Sequence, residues 1–226
     1  MYELVKNQLH AVKDELPDGV ELVAISKYHP AEAIAAAYEE GQRIFGESHV
    51  QELMHKHEQL PTDIEWHFIG HLQTNKVKYL APFVALIHAV DSPRLLAEID
   101  KQGTKCHRRI PCLLQLHVAQ EETKFGLTTD QAEALLESGE WADAQGVEIR
   151  GIMCMATNTD DEEQIAREFE TARQFFLHAR ATYFKGREQQ FCECSWGMSD
   201  DYPIALRHGS TLVRIGSKIF GQRQYT

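Results

Sequence analysis

Leu22-Val23-Ala24-Ile25-Ser26-Lys27 is a short apolar run that stops on a lysine. It reads as the first strand of a sheet, with an amine at its carboxyl end. Working outward, similar runs rich in β-branched and aromatic residues recur at 43–46, 66–69, 86–89, 112–118, 148–153, 190–195 and 211–215. With the first, that makes eight strands.

Between them lie segments of helical composition at 31–40, 50–59, 74–80, 94–101, 130–137, 162–183 and 200–207, and an opening helix at 2–14 precedes them all. Strands alternating with longer helices are the signature of βα units and a parallel sheet. Ser92-Pro93 offers an N-cap with proline at the first helical position, and Thr128 to Gln131 and Thr159 to Glu162 have capping-box spacing. Gly41, Gly103 and Gly139 stand where helices should stop. The acidic run Asp160-Asp161-Glu162-Glu163 complements the dipole of the long helix that follows. Eight βα units in 226 residues point to a single closed (β/α)8 barrel of the TIM type rather than an open doubly wound sheet. No repeat beyond the βα alternation and no Pro/Gly/Ser linker interrupts the chain, so residues 1–226 are expected to form one domain.

The 34 acidic residues exceed the 23 basic ones, for a net charge of −11. No basic stripe offsets that repulsion, so duplex nucleic acid is not an expected partner. Five cysteines, at 106, 112, 154, 192 and 194, form no CxxC pair. With no signal-peptide pattern at the amino terminus, they fit free thiols in a reducing cytoplasm. The longest apolar stretch, Ala81 to Val90, is well short of the roughly 18 residues of a membrane span. No GxSxG, P-loop or GxGxxG motif occurs, which disfavours hydrolase, NTPase and dinucleotide readings.

In such a barrel the carboxyl ends of the strands form the functional face, and loops after strands seven and eight commonly hold a phosphate. Here the seventh strand runs into Ser195-Trp196-Gly197-Met198-Ser199, and Ser199 is expected to cap the next helix. The eighth runs into Val213-Arg214-Ile215-Gly216-Ser217, where Gly216 lets a backbone amide approach a ligand closely. Taken singly, each of these residues has an ordinary reading: a snorkelling lysine, a cap, a salt-bridge arginine, a turn glycine. Together on one face they offer an amine for Schiff-base formation and a cradle for a phosphorylated aldehyde. Pyridoxal 5'-phosphate is the economical ligand. A lysine must shed its proton to attack, and burial favours the neutral form. Other candidates carry less. His67 and His71 stand four apart but straddle Gly70 at a strand end, a poor geometry for zinc. Cys192 and Cys194 alternate on one strand face, as core or barrel-lining residues do.

The chain resembles the pyridoxal phosphate homeostasis proteins, which are similar to the barrel domain of alanine racemase. The resemblance runs from about Leu4 to Gln222. It rests on Val23 to Lys27, Phe45-Gly46-Glu47, Val50-Gln51-Glu52, His67 to Lys76, Lys124-Phe125-Gly126, Gly151-Ile152-Met153, Gly197 to Asp201 and Gly209 to Gly216, in that order. It implies pyridoxal phosphate held as a Schiff base on Lys27, with Ser199 and the amides around Gly216 and Ser217 at its phosphate and Met198 among the cofactor-binding residues. It also implies Arg214 against the pyridine nitrogen. A guanidinium cannot accept that nitrogen's proton, so the ring would be a poor electron sink. The chain ends at Thr226, without the second domain that supplies the racemase's opposing tyrosine. The expected protein is therefore not an enzyme but a monomeric store or carrier of the cofactor, with pyridoxal-dependent apoenzymes as its expected recipients. A small enzyme, with weak amino-acid racemase activity or as a Schiff-base aldolase using Lys27 without cofactor, is the alternative, and an interaction protein with an unreactive Lys27 a third. Three residues depart from the family pattern: Ser48 and His117 stand where Asn is usual, and Trp196 where Met is usual.

Overall fold

The computed structural model describes residues 2–121 and 125–222. Lys124 and Thr226, both used above, lie outside the described residues. After a first helix, α1 (Glu3–Glu15), the chain alternates strand and helix: β1 (Glu21–Ile25), α2 (Ala31–Glu39), β2 (Ile44–Glu47), α3 (Val50–Gln59), β3 (Glu65–Phe68), α4 (Val77–Leu80), β4 (Leu86–Val90), α5 (Pro93–Lys105). It continues with β5 (Ile110–Leu116), α6 (Thr129–Glu137), β6 (Val147–Cys154), α7 (Glu162–Tyr183), β7 (Glu193–Met198), α8 (Tyr202–Arg207), β8 (Leu212–Ile215) and α9 (Ser217–Phe220). The eight strands pair in parallel, in chain order, and β1 pairs with β8 to close the barrel. Among the described residues no helix is long and apolar enough to cross a membrane.

Strand alternation sorts the side chains into two layers. Leu22 and Ala24, Phe45, Trp66 and Phe68, Cys194 and Trp196, and Val213 and Ile215 belong to the large core between barrel and helices. The opposite parity forms a small inner cluster of Val23, Ile25, Leu86, Leu113, Met153 and Leu212. That same inward parity carries His67, His88, Ser195 and Arg214, all buried. The lumen is thus apolar toward one side and polar along another.

Several local expectations need correction. The seventh strand begins at Glu193 and runs through Met198, not over 190–195. Phe191 instead stacks on Phe176 and Phe184 outside the barrel. A register shift between Ser195 and Met198, with Gly197 at φ +91°, lets the strand continue past the expected stop. Cys192 precedes the strand, so the two cysteines do not share a strand face, whereas Cys194 lies in the core between barrel and helices, one of the two places expected for it. Gly103 lies inside α5, where a side chain would collide with the carbonyl of Gly146. It permits close packing; it does not end the helix. Thr159 does not cap α7: Asp161 does, accepting from the Gln164 amide at 3.0 Å. By contrast Ser92 and Thr128 cap α5 and α6 as their spacing indicates.

Candidate functional site

The barrel closes by pairing β7 with β8 and β8 with β1, so the segments after these three strands are neighbours at one end. Ala24 is opposite Ile215, and Met198 is opposite Arg214. Lys27 follows β1 and comes next on the inward parity of Val23 and Ile25; it is half-buried. Gly216 follows β8 and lies against Ile25, whose carbonyl oxygen would be only 3.0 Å from an added Cβ. Strand closure therefore brings the loop that carries Lys27 to the loop that carries Gly216 and Ser217.

Ser199 is buried, yet it does not cap a helix. The N-cap of α8 is Asp201, and the Ser199 hydroxyl accepts instead from the Gly216 amide at 3.3 Å. Asp201 Oδ1 accepts from the Met198 amide at 2.5 Å, which holds the β7 exit in a tight turn. The consequence is a direct link between the two loops that composition marked separately. Met198 remains partly exposed at the rim, and Ser217 is exposed at the start of α9.

Arg214 is buried and donates from Nη1 to the Ser195 carbonyl and hydroxyl, at 2.7 Å each, and from Nη2 to the Cys154 carbonyl at 2.9 Å. The Ser195 hydroxyl is 2.9 Å from His88 Nδ1, and His88 Nε2 is 3.0 Å from His67 Nδ1. Burial pulls His67 down to about 3. Burial, then the neighbouring His67 and Arg214, pull His88 well below an imidazole's ordinary value. Burial favours the neutral form of both rings, and side chains of four strands, with the Cys154 carbonyl of a fifth, are tied through the lumen by one polar chain. His71 does not join His67: it lies at the barrel mouth, with Nδ1 2.8 Å from Asp91 Oδ2 and its ring stacked on Phe125.

Beneath the Lys27 loop lies a second polar cluster, on the outward parity of β1 and β2. Lys56 Nζ donates to the Ser26 carbonyl at 2.8 Å and to Glu47 Oε1 and Glu52 Oε1 at 2.7 Å each. The Ser26 hydroxyl donates to Glu47 Oε1 at 2.6 Å, and the Tyr28 amide donates to Glu52 Oε1 at 2.6 Å. Glu47 is fully buried, and its Oε2 has no partner among the described residues. Burial lifts its carboxyl to about 7 against the opposing pull of Lys56 and the Ser26 hydrogen bond. Of the lumen chain only Arg214 was expected to serve the site, and the second cluster was not expected as a functional element. The lumen chain gave no local signal, because its members come from four strands. The other cluster did leave one: Glu52 and Lys56 are an i,i+4 pair on α3, just after a strand ending in an acid.

The three departures from the family pattern lie in different places. Ser48 bonds its neighbour His49 at 3.2 Å; its backbone fills the space that a side chain on Gly70 would need. His117 Nε2 is 3.1 Å from the Glu121 carbonyl. Trp196 is fully buried on the helix side of β7, away from the lumen.

An amine at a strand end, a hydroxyl and backbone amides at two joined loops, and a buried guanidinium make a donor set suited to an anionic aldehyde. A closed parallel barrel with this face defines the class: the family model for the alanine racemase N-terminal domain matches residues 3–224. Within that class the chain belongs to the pyridoxal phosphate homeostasis protein family. It is 36% identical over 205 residues to the pyridoxal phosphate homeostasis protein of Aquifex aeolicus, covering 90% of this chain and 87% of that one. It is likewise 36% identical over 214 residues to that of Escherichia coli K12, covering 93% and 88%. Among solved structures it is similar to PipY of Synechococcus elongatus with PLP bound, at 33% identity and a TM-score of 0.86 over 96% of this chain and 100% of that one.

Proposed function

We propose that this protein binds pyridoxal 5'-phosphate and serves intracellular homeostasis of that cofactor, storing, buffering or delivering it. The observation that carries the reading is the junction of the two loops through Ser199 and Gly216, beside the end of β1 that leads into Lys27. The bound group supplies an aldehyde carbon, which a lysine amine can join through a C=N bond with release of one water. Lys27 is the residue assigned to hold it. Ser199, with Met198 at the rim and the Ser217 amide, is assigned to the phosphate, and Gly216, whose own amide donates to the Ser199 hydroxyl, to the close backbone approach beside it. Arg214 is assigned to the ring nitrogen: anchored by three hydrogen bonds, it donates there and takes no proton.

The assignment favours retention over turnover, since a ring nitrogen facing a donor is not protonated by it. We therefore read the protein as a carrier rather than an enzyme, monomeric and cytoplasmic, with pyridoxal-dependent apoenzymes as recipients. The five free cysteines support the compartment, and the relatives' names support the role.

The test is the absorbance of purified protein titrated with pyridoxal phosphate. A visible band that borohydride fixes onto Lys27, and that Lys27→Ala abolishes, is the expected result. Protein that stays colourless at saturating cofactor would reject the reading. Incubation of the loaded protein with single amino-acid enantiomers tests the carrier assignment: rapid appearance of the mirror form, lost in Lys27→Ala, would make it a racemase.

A further inference from the structure

The residues on either side of Lys27 are held by one buried cluster. Ser26 is gripped twice, through its carbonyl by Lys56 at 2.8 Å and through its hydroxyl by Glu47 at 2.6 Å. Tyr28 is gripped through its amide by Glu52 at 2.6 Å, in a left-handed conformation, φ +66°, that a non-glycine residue adopts only under constraint. Lys56 joins the three, bonding both carboxylates from α3 while almost wholly buried. A buried ammonium with all three hydrogens placed is a rigid junction. The backbone of Lys27 cannot shift without breaking into it.

We propose that Glu52, Glu47 and Lys56 are positioning residues for Lys27, with Glu52 setting the backbone turn that aims the Lys27 amine into the barrel mouth. None of the three is needed to touch the cofactor. The geometry differs from a merely structural ion pair in one respect: the bonds from the cluster to the segment that follows β1 end on residues 26 and 28, the two neighbours of Lys27. Burial raises Glu47 to about 7, and the Ser26 hydroxyl and Lys56 both bond to its Oε1.

The inference rests on Lys27 as the residue that joins the cofactor, so its test separates the two. The rate of band formation with pyridoxal 5'-phosphate is measured beside the affinity for pyridoxine 5'-phosphate, an alcohol that fills the same pocket but cannot join an amine. Glu52→Met removes the acceptor for the Tyr28 amide at a half-buried position, whereas Glu52→Gln keeps an oxygen there. The expected result is band formation slowed roughly tenfold or more in Glu52→Met, the loss that a misaimed nucleophile gives. Glu52→Gln should restore the rate, and the alcohol should bind all three proteins alike. An unchanged rate in Glu52→Met would overturn the proposal. So would equal slowing in Glu52→Gln, or an alcohol affinity that falls in step with the rate. Uptake by Lys27→Ala at the wild-type rate would instead reject the parent reading, whatever the Glu52 variants do.

Discussion

The carbonyl oxygen of Gly146 occupies the space that a side chain on Gly103 would need. That carbonyl cannot retreat, because it accepts from the Ile110 amide at 2.9 Å, and the Gly146 amide is held by Asp100 Oδ1 at 2.6 Å. Gly103→Ala should therefore destabilise the barrel by about 1–3 kcal/mol, although helix propensity alone would favour alanine by about 1 kcal/mol. Urea midpoints measure it. A variant as stable as the wild type would mean that α5 can lift off the 146 turn at little cost.

Acid should weaken the fold through the lumen. His67 falls from 6.5 to about 3 on folding, and His88 moves the same way. The unfolded chain therefore binds the extra protons, and stability is fully present above pH 6.5 and is lost as pH falls below it. Glu47 acts in the opposite sense: raised from 4.5 to about 7, its contribution is present below pH 4.5 and is lost as pH rises toward 7. Each group contributes a slope of roughly 1.4 kcal/mol per pH unit inside its window. Glu47→Gln should accordingly show a steeper gain of stability between pH 4.5 and 6.5 than the wild type. Parallel curves would show that Glu47 does not titrate there.

The Ser199 assignment predicts a selective loss. Ser199→Ala removes a hydroxyl from the junction with Gly216 and should weaken pyridoxal 5'-phosphate by about tenfold, one charge-assisted hydrogen bond's worth. Pyridoxal, which lacks the phosphate, should bind both proteins equally. A parallel loss for the two aldehydes would move Ser199 away from the phosphate.

Ser195→Ala tests the lumen chain. Arg214 keeps the Ser195 and Cys154 carbonyls, while the buried Nδ1 of His88 loses its partner. A cost of about 1–3 kcal/mol follows from stranding that polar atom, read as a lower thermal midpoint with cofactor capture retained. An unchanged midpoint would mean that His88 finds another partner.

The fold was legible because each βα unit announces itself locally: β1 by five residues without a charge after Glu21, α5 by Ser92-Pro93, α6 by its capping box. The loops that carry the proposed site were legible for the same reason, since Lys27, Ser199 and Gly216 follow strands. What sequence reading missed depends on contacts between distant segments. Gly103 looks like a helix stop until Gly146 is seen against it. Ser199 looks like a cap until Gly216 arrives from the next unit. The end of β7 was misplaced because a positive-φ glycine inside a strand has no local signature, and the Glu47–Lys56 cluster is assembled from three elements.

Arg214 has donors only, and that fact propagates. The fully buried Ser195 oxygen receives from Arg214, so the arrangement that leaves no hydroxyl hydrogen stranded turns that hydrogen to His88 Nδ1. His88 then carries its proton on Nε2 and donates to His67 Nδ1, which leaves the His67 proton on its own Nε2. One guanidinium at the last strand thus dictates the tautomer of an imidazole on the third. The barrel's interior carries a wire with a direction, along which protons are ordered from Arg214 outward and none can be returned to it.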